Sequence, residues 1–144
     1  FGKPGTIGFA KHQDNFYVES NKKNSFLSCW ITLNDLNSKM GCLILYEKSH
    51  LQGILETKKK KKVKLINQDR NSNNEETILS KKFKKKRIIE NAGSVVLIHG
   101  DLVHESEKNI SNTNRDVLLA TYIKENVKFR RGRTAKRYKI HMNS

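Results

Sequence analysis

One proline, Pro4, and two cysteines, Cys29 and Cys42, are all that 144 residues contain of either type. Two cysteines without CxxC spacing exclude a disulfide-dense scaffold, and each lies in an apolar strand-like run, as a buried free thiol in a reducing compartment does. Long apolar stretches are missing too. The longest aliphatic run, Val95-Val96-Leu97-Ile98, falls far short of the roughly 20 residues that cross a bilayer, and no signal-peptide-like run opens the chain. A soluble, cytoplasmic protein without membrane contact is expected. The absence of a regular repeat argues against a solenoid. Hydrophobic residues still make up 35% of the chain, which rules out disorder throughout. The length suits a single core burying roughly 70% of the unfolded surface.

Acidic residues are scarce as well, 14 against 29 Lys+Arg, for a formal charge of +15. The excess looks like a nucleic-acid signature until it is located. Residues 58–64 carry six Lys, residues 81–87 six Lys/Arg and residues 128–139 seven, together 19 of the 29 basic groups without one acidic residue. The remainder has 10 basic against 14 acidic groups and is mildly acidic. A nucleic-acid footprint would be interleaved with the strands or helices of the fold, so nucleic acid is not the expected partner. A solvated, compositionally biased stretch is the simpler reading of the lysine runs. The chain reads as one domain over residues 1–144, with a Lys/Asn-rich insertion at about 57–87 and a basic C-terminal tail at about 128–144. Phe1 in place of an initiator Met reads as a fragment or a processed product.

What the sequence does contain is strand-like. Residues 6–18 and 25–33 alternate apolar and polar positions imperfectly and are rich in β-branched and aromatic side chains. Residues 41–46, 94–99 and 117–123 are short apolar runs that read as buried strands. Turn residues separate them, at Asn34-Asp35-Leu36-Asn37-Ser38, Ala92-Gly93-Ser94 and residues 109–114. The architecture is mainly β, a barrel or a sandwich.

His12-Gln13-Asp14 carries the most chemical information. On a strand, residues i and i+2 share a face, so an imidazole nitrogen and a carboxylate oxygen can reach one ion. The tripeptide alone is common by chance. The second half of the chain adds His104, after the 94–99 run and a Gly100-Asp101 turn, and then Arg115 at the start of the next strand. Two His and one carboxylate on one face of a metal leave three adjacent positions open, the arrangement of non-haem Fe(II) oxygenases. A guanidinium beside it suits a bidentate carboxylate.

With these residues the chain resembles the phytanoyl-CoA dioxygenase-like branch of the Fe(II)/2-oxoglutarate-dependent oxygenases. The likeness runs through His12-Gln13-Asp14 with Tyr17, Trp30-Ile31-Thr32-Leu33-Asn34-Asp35, Gly41-Cys42-Leu43 and Ser49-His50. It continues through Gly93-Ser94-Val95-Val96, His99-Gly100, His104-x-Ser106, Asn109-x-Ser111 and Arg115. The resemblance implies a double-stranded β-helix, a jelly-roll of cupin type, in a copy lacking the family's N-terminal region. It implies His12, Asp14 and His104 as iron ligands, Arg115 and Ser106 as holders of the distal carboxylate of 2-oxoglutarate, and Gln13 and Trp30 as walls of the cosubstrate pocket. No catalytic side chain is expected beyond the metal centre. The implied reaction consumes O2 and 2-oxoglutarate, hydroxylates a small molecule and releases succinate and CO2; a basic patch near the mouth would suit an anionic substrate.

The departures from the pattern fall in turns, with Met40 where the family has Asn before Gly41, and Glu47-Lys48 where it has Pro-Gly. Asp14 argues against a halogenase, which needs a small residue there to admit chloride. The alternatives are a nucleic-acid-directed oxygenase of the same superfamily and a non-catalytic metal- or polyanion-binding β-domain. Trp30 would be plain core in most β-domains, and only the resemblance makes it a pocket wall. Ser49-His50 is expected to close a turn, His99 to be a packed or hydrogen-bonded histidine, and His141 to be solvated in the tail.

Overall fold

The computed structural model describes residues 2–60, 75–130 and 138–141. Strand β1 (Phe26–Thr32) buries Phe26, Ser28, Trp30 and Thr32 and leaves the intervening residues half-buried, the period-two pattern of a strand with one inner face. It lies at the centre of an antiparallel sheet between β6 (Val95–His99) and β8 (Val117–Ile123), with Trp30 opposite Val96 on one side and Leu119 on the other. A second antiparallel sheet has β2 (Leu43–Tyr46) between β5 (Lys85–Arg87) and β7 (His104–Ser106). Trp30 and Ile98 from the first sheet pack with Leu43 from the second, and Leu36, Met40 and Ile88 close the core. The expected mainly β, double-stranded β-helix is the fold. Among the described residues one short α-helix, α1 (Asp14–Val18), precedes β1. Among the described residues no helix is long and apolar enough to cross a membrane.

The outer face of the first sheet is open. Val95, Leu97, Leu118 and Tyr122 are each more than half exposed, and on the inner face Ile98 is buried while Leu119 of β8 stays exposed among the described residues. Reading the runs at 94–99 and 117–123 as fully buried strands is correct only for the inner face of β6, where Ile98 is buried; no residue of β8 is fully buried among the described residues.

The Lys-rich stretch at about 57–87 is tied to the domain at both described ends. Strands β3 (Thr57–Lys59) and β4 (Glu75–Thr77) pair as a two-stranded sheet, and the Thr77 N–H donates to Lys11 O at 2.8 Å while Lys11 pairs with Glu76 at 2.9 Å. Strand β5, fully exposed, forms an edge of the second sheet, where Lys85 faces Glu105 and Arg87 meets Glu107 at 2.6 Å. Backbone pairing does not need apolar side chains at an edge, and a lysine edge resists further pairing. Composition therefore hides these strands. Residues 61–74 lie outside the described residues, as do 131–137 and 142–144 of the basic tail. Where the tail is described, the Arg130 N–H donates to Val18 O at 2.7 Å.

The two altered turns close differently. Gly41 keeps φ +75° and lies so near Glu107 O that a Cβ would be 2.7 Å from it, so the glycine is required even without its usual Asn. Lys48, by contrast, takes φ +63° ahead of the 3₁₀ turn Ser49–Gln52, a left-handed conformation that costs an L side chain about 1 kcal/mol or more. Replacing it with glycine should stabilise the protein by about 0.5–1 kcal/mol, after the entropy that glycine gains on unfolding is subtracted. Urea or thermal unfolding of Lys48→Gly checks this, and a less stable variant would contradict it.

Candidate metal centre

The N-terminal segment reaches the second sheet through an antiparallel bridge between His12 and His104, each N–H donating to the other's carbonyl at 2.9 and 3.0 Å. Directly opposed residues of such a pair bring their side chains together, and the two imidazole centroids lie 4.2 Å apart. Asp14 does not arrive along the same strand, as the i, i+2 argument expects. Gln13 is extended, and Asp14 opens α1, so a strand-to-helix turn swings the carboxylate back over the two rings. Asp14 Oδ1 is 3.6 Å from both His12 Nε2 and His104 Nε2. One ligand atom from each of the three residues lies within 4.8 Å of the others.

The hydrogen bonds behind these atoms set their chemistry. His12 Nδ1 donates to Ala10 O at 2.7 Å and His104 Nδ1 to Leu102 O at 2.9 Å, the same i−2 contact twice. A ring whose Nδ1 holds the proton presents an Nε2 lone pair, the form that binds metal. Burial, and then the neighbouring His104, pull the His12 pKa down to about 4 against the opposing pull of Asp14, so His12 is neutral at physiological pH. Asp14 Oδ2 accepts the Ser28 hydroxyl at 2.5 Å, which leaves Oδ1 to face the imidazoles. Ser28, wholly buried on β1, is a contributor the sequence does not advertise.

A cavity of about 340 Å³ runs from this cluster, lined by His12, Asp14, His104, Trp30, Ser106 and Arg115 together with aliphatic walls. Arg115 is 8% exposed, and burial pulls its pKa below the ordinary arginine value. Nη1 donates to Gly41 O, while Nε is buried without a partner, and no carboxylate pairs with the guanidinium among the described residues. Ser106 Oγ accepts the Phe9 N–H at 2.8 Å, which leaves the hydroxyl proton to be donated into the cavity.

Gln13 is not part of the wall. Its amide is turned to the opposite side and bonded to Gly53, Leu55 and Asp101, because an extended residue between two inward-facing neighbours points outward. Trp30 is both core and cavity wall. His50 and His99 stack at 5.1 Å on each other, away from the cluster, and His141 is exposed. The turn at Ser49-His50 closes through the Gly53 N–H donating to His50 O at 3.1 Å, and Ser49 Oγ ties it to the segment before β7 by accepting the Val103 N–H at 2.8 Å.

Comparison with known proteins agrees with this architecture. A sequence model of the phytanoyl-CoA dioxygenase (PhyH) family matches residues 1–117. A phytanoyl-CoA dioxygenase of Arabidopsis thaliana is 33% identical over 117 residues, covering 80% of this chain and 38% of the relative. Among solved structures, a non-heme monooxygenase (ThoJ, apo) superposes with a TM-score of 0.69 at 21% identity over 88% of this chain and 45% of that one. The epimerase SnoN, solved with Fe3+, alpha ketoglutarate and nogalamycin RO, gives 0.68 at 18% identity over 88% and 46%. At these identities the structural likeness is one of fold. The chain spans about two fifths of the length of the curated relatives it matches.

Two outcomes follow from the hydrogen bonds at the cluster. Ser28→Ala frees Asp14 Oδ2, and loss of such an orienting partner should weaken divalent-metal affinity about 10- to 100-fold, read by competition titration with Co(II); wild-type affinity in the folded variant would contradict it. In the metal-free protein, the unfolded state protonates His12 near the ordinary 6.5 and the folded state only near 4. Its contribution is therefore complete above pH 6.5 and is lost as pH falls toward 4. Urea unfolding across that range should show the loss, and the loss should shrink in His12→Ala.

Proposed function

The chain belongs to the phytanoyl-CoA dioxygenase family, and from that membership we propose that it is the metal-binding part of an Fe(II)/2-oxoglutarate-dependent dioxygenase that hydroxylates a small molecule. One observation carries the reading. Two imidazoles fixed with Nε2 outward and a carboxylate held by Ser28 converge at a cavity that also contains a buried guanidinium with no carboxylate partner among the described residues. The donor set fits iron, and the orphaned guanidinium fits a carboxylate.

In this reading His12 Nε2, His104 Nε2 and Asp14 Oδ1 hold the iron. Bound there with 2-oxoglutarate, iron supplies activation of O2, with hydroxylated product, succinate and CO2 as the outcome. The Nδ1 bonds to Ala10 and Leu102 keep both imidazoles in the ligating tautomer. Arg115 offers Nε and its fork to the distal carboxylate, with the Ser106 hydroxyl as a second donor. Trp30, Leu43, Ile98 and Val117 keep water from the cosubstrate. Both cysteines are free, in keeping with a reducing cytoplasmic setting.

Anaerobic titration tests the reading. His12→Ala, Asp14→Ala and His104→Ala should each remove most Fe(II) affinity, and retention by all three would refute it. Truncating one partner of a desolvated charge pair costs about 2–5 kcal/mol, so Arg115→Ala should weaken 2-oxoglutarate binding to the Fe(II)- or Mn(II)-loaded protein by roughly 30-fold or more. Arg115→Lys should recover only part, because a point charge lacks the fork, and metal affinity should be unchanged in both. Undiminished 2-oxoglutarate affinity in Arg115→Ala would overturn the cosubstrate assignment.

A further inference from the structure

Gln13 stands between two proposed ligands and touches neither the cavity nor solvent, being 1% exposed. All of its side-chain bonding is spent on backbone. Nε2 donates to Gly53 O at 2.7 Å and to Asp101 O at 2.6 Å, while Oε1 accepts the Leu55 N–H at 2.8 Å. Both amide protons and the carbonyl are thereby used, and a flipped amide would set its oxygen against two carbonyls and its nitrogen against an N–H. Only one orientation of the side chain fits.

The three partners belong to two separate segments. Gly53 and Leu55 follow the Ser49–Gln52 turn, whereas Asp101 lies three residues before His104 on the loop that delivers the third ligand. Gln13 is also the residue at which the chain leaves the His12 bridge and enters α1, with φ −121° and ψ 128°. The direction of Asp14 relative to His12 is set at this residue. A buried polar group with every bond satisfied is costly to disturb and rigid while intact.

We propose that Gln13 is the positioning residue of the metal centre: its amide locks the turn between His12 and Asp14 to the loop carrying His104, and so fixes the separation of all three donors. It acts through the ligands without touching the metal or cosubstrate. The proposal rests on the reading of His12, Asp14 and His104 as metal ligands.

The test uses Co(II), whose visible absorption reports coordination geometry, with Gln13→Met and Gln13→Glu. Methionine keeps the length and loses the bonds; glutamate keeps the acceptor for Leu55 and turns a second oxygen on the two carbonyls. Each folded variant should bind Co(II) about 10- to 100-fold more weakly and give an altered spectrum, with circular dichroism unchanged. A folded variant with wild-type affinity and spectrum would overturn the proposal, because an amide that only supports the fold would lower stability and leave the metal site alone. Should neither variant fold, the wild-type protein decides. Its Gln13 side-chain amide protons should be protected from exchange, and their NMR shifts should move on Zn(II) addition; rapid exchange or unmoved shifts would overturn the proposal. Absence of Co(II) binding by the wild-type protein would overturn the metal-centre reading itself and this proposal with it.

Discussion

The segment before α1 is zipped to the chain that follows β6, and His12, His104, Ser106 and Arg115 all hang from that zipper. Gly2 pairs with Arg115, Gly5 and Thr6 with Asn109, Phe9 with Ser106 and His12 with His104, all through backbone hydrogen bonds of 2.8–3.0 Å. Each bond is worth only about 1 kcal/mol net, so the arrangement depends on their number and on close approach. Gly8 shows how close. With φ +79°, its α-carbon faces the Ser106 and Glu107 carbonyls, where no Cβ fits. Asn109 adds two side-chain bonds, to Gly2 O at 2.6 Å and Thr113 O at 2.8 Å, and so holds the strand end beside Arg115.

This zipper also explains how a buried cation is tolerated. The Arg115 guanidinium lies against the Gly2 backbone, where its atoms would be 3.2–3.3 Å from any added Cβ, and Gly41 supplies a carbonyl from the other side. Backbone dipoles take the place of a carboxylate. They leave Nε unsatisfied, a standing cost of about 1–3 kcal/mol for a buried donor, and more for a charged one. An anion entering the cavity removes that cost. The fold thus holds binding energy in reserve at the Arg115 side chain of the cavity.

How much of this was readable in advance depends on which physical scale wrote the signal. The inner faces of β1 and β6 are legible because burial alternates along them, while His12, Asp14, His104 and Arg115 are proposed because spacing and family likeness coincide. Strand β5 is illegible, since edge pairing leaves no mark in a run of lysines. The i, i+2 argument puts Asp14 on a strand because nothing in His12-Gln13-Asp14 announces a helix of only five residues. Gln13 was placed in the pocket wall from likeness alone, whereas its bonds depend on residues 53, 55 and 101, which no local pattern connects to it. Ser28 gives no signal, as one small residue among the alternating positions of β1. Other motif residues prove to be loop ties: Asn34 Oδ1 accepts the Asp116 N–H and Asp35 Oδ1 the Ala92 N–H, both at 2.8 Å.

The open outer face of the first sheet bears on the heat capacity of the protein. Among the described residues nothing covers Val95, Leu97, Leu118 and Tyr122, so unfolding exposes less new apolar surface there than from a sheet covered on both sides. Apolar hydration is what makes the unfolding heat capacity large, normally about 12–15 cal/mol/K per residue. A value below that range, and a denaturant slope reduced in step with it, belong to this architecture. Its stability curve is correspondingly shallow, changing little with temperature on either side of its maximum.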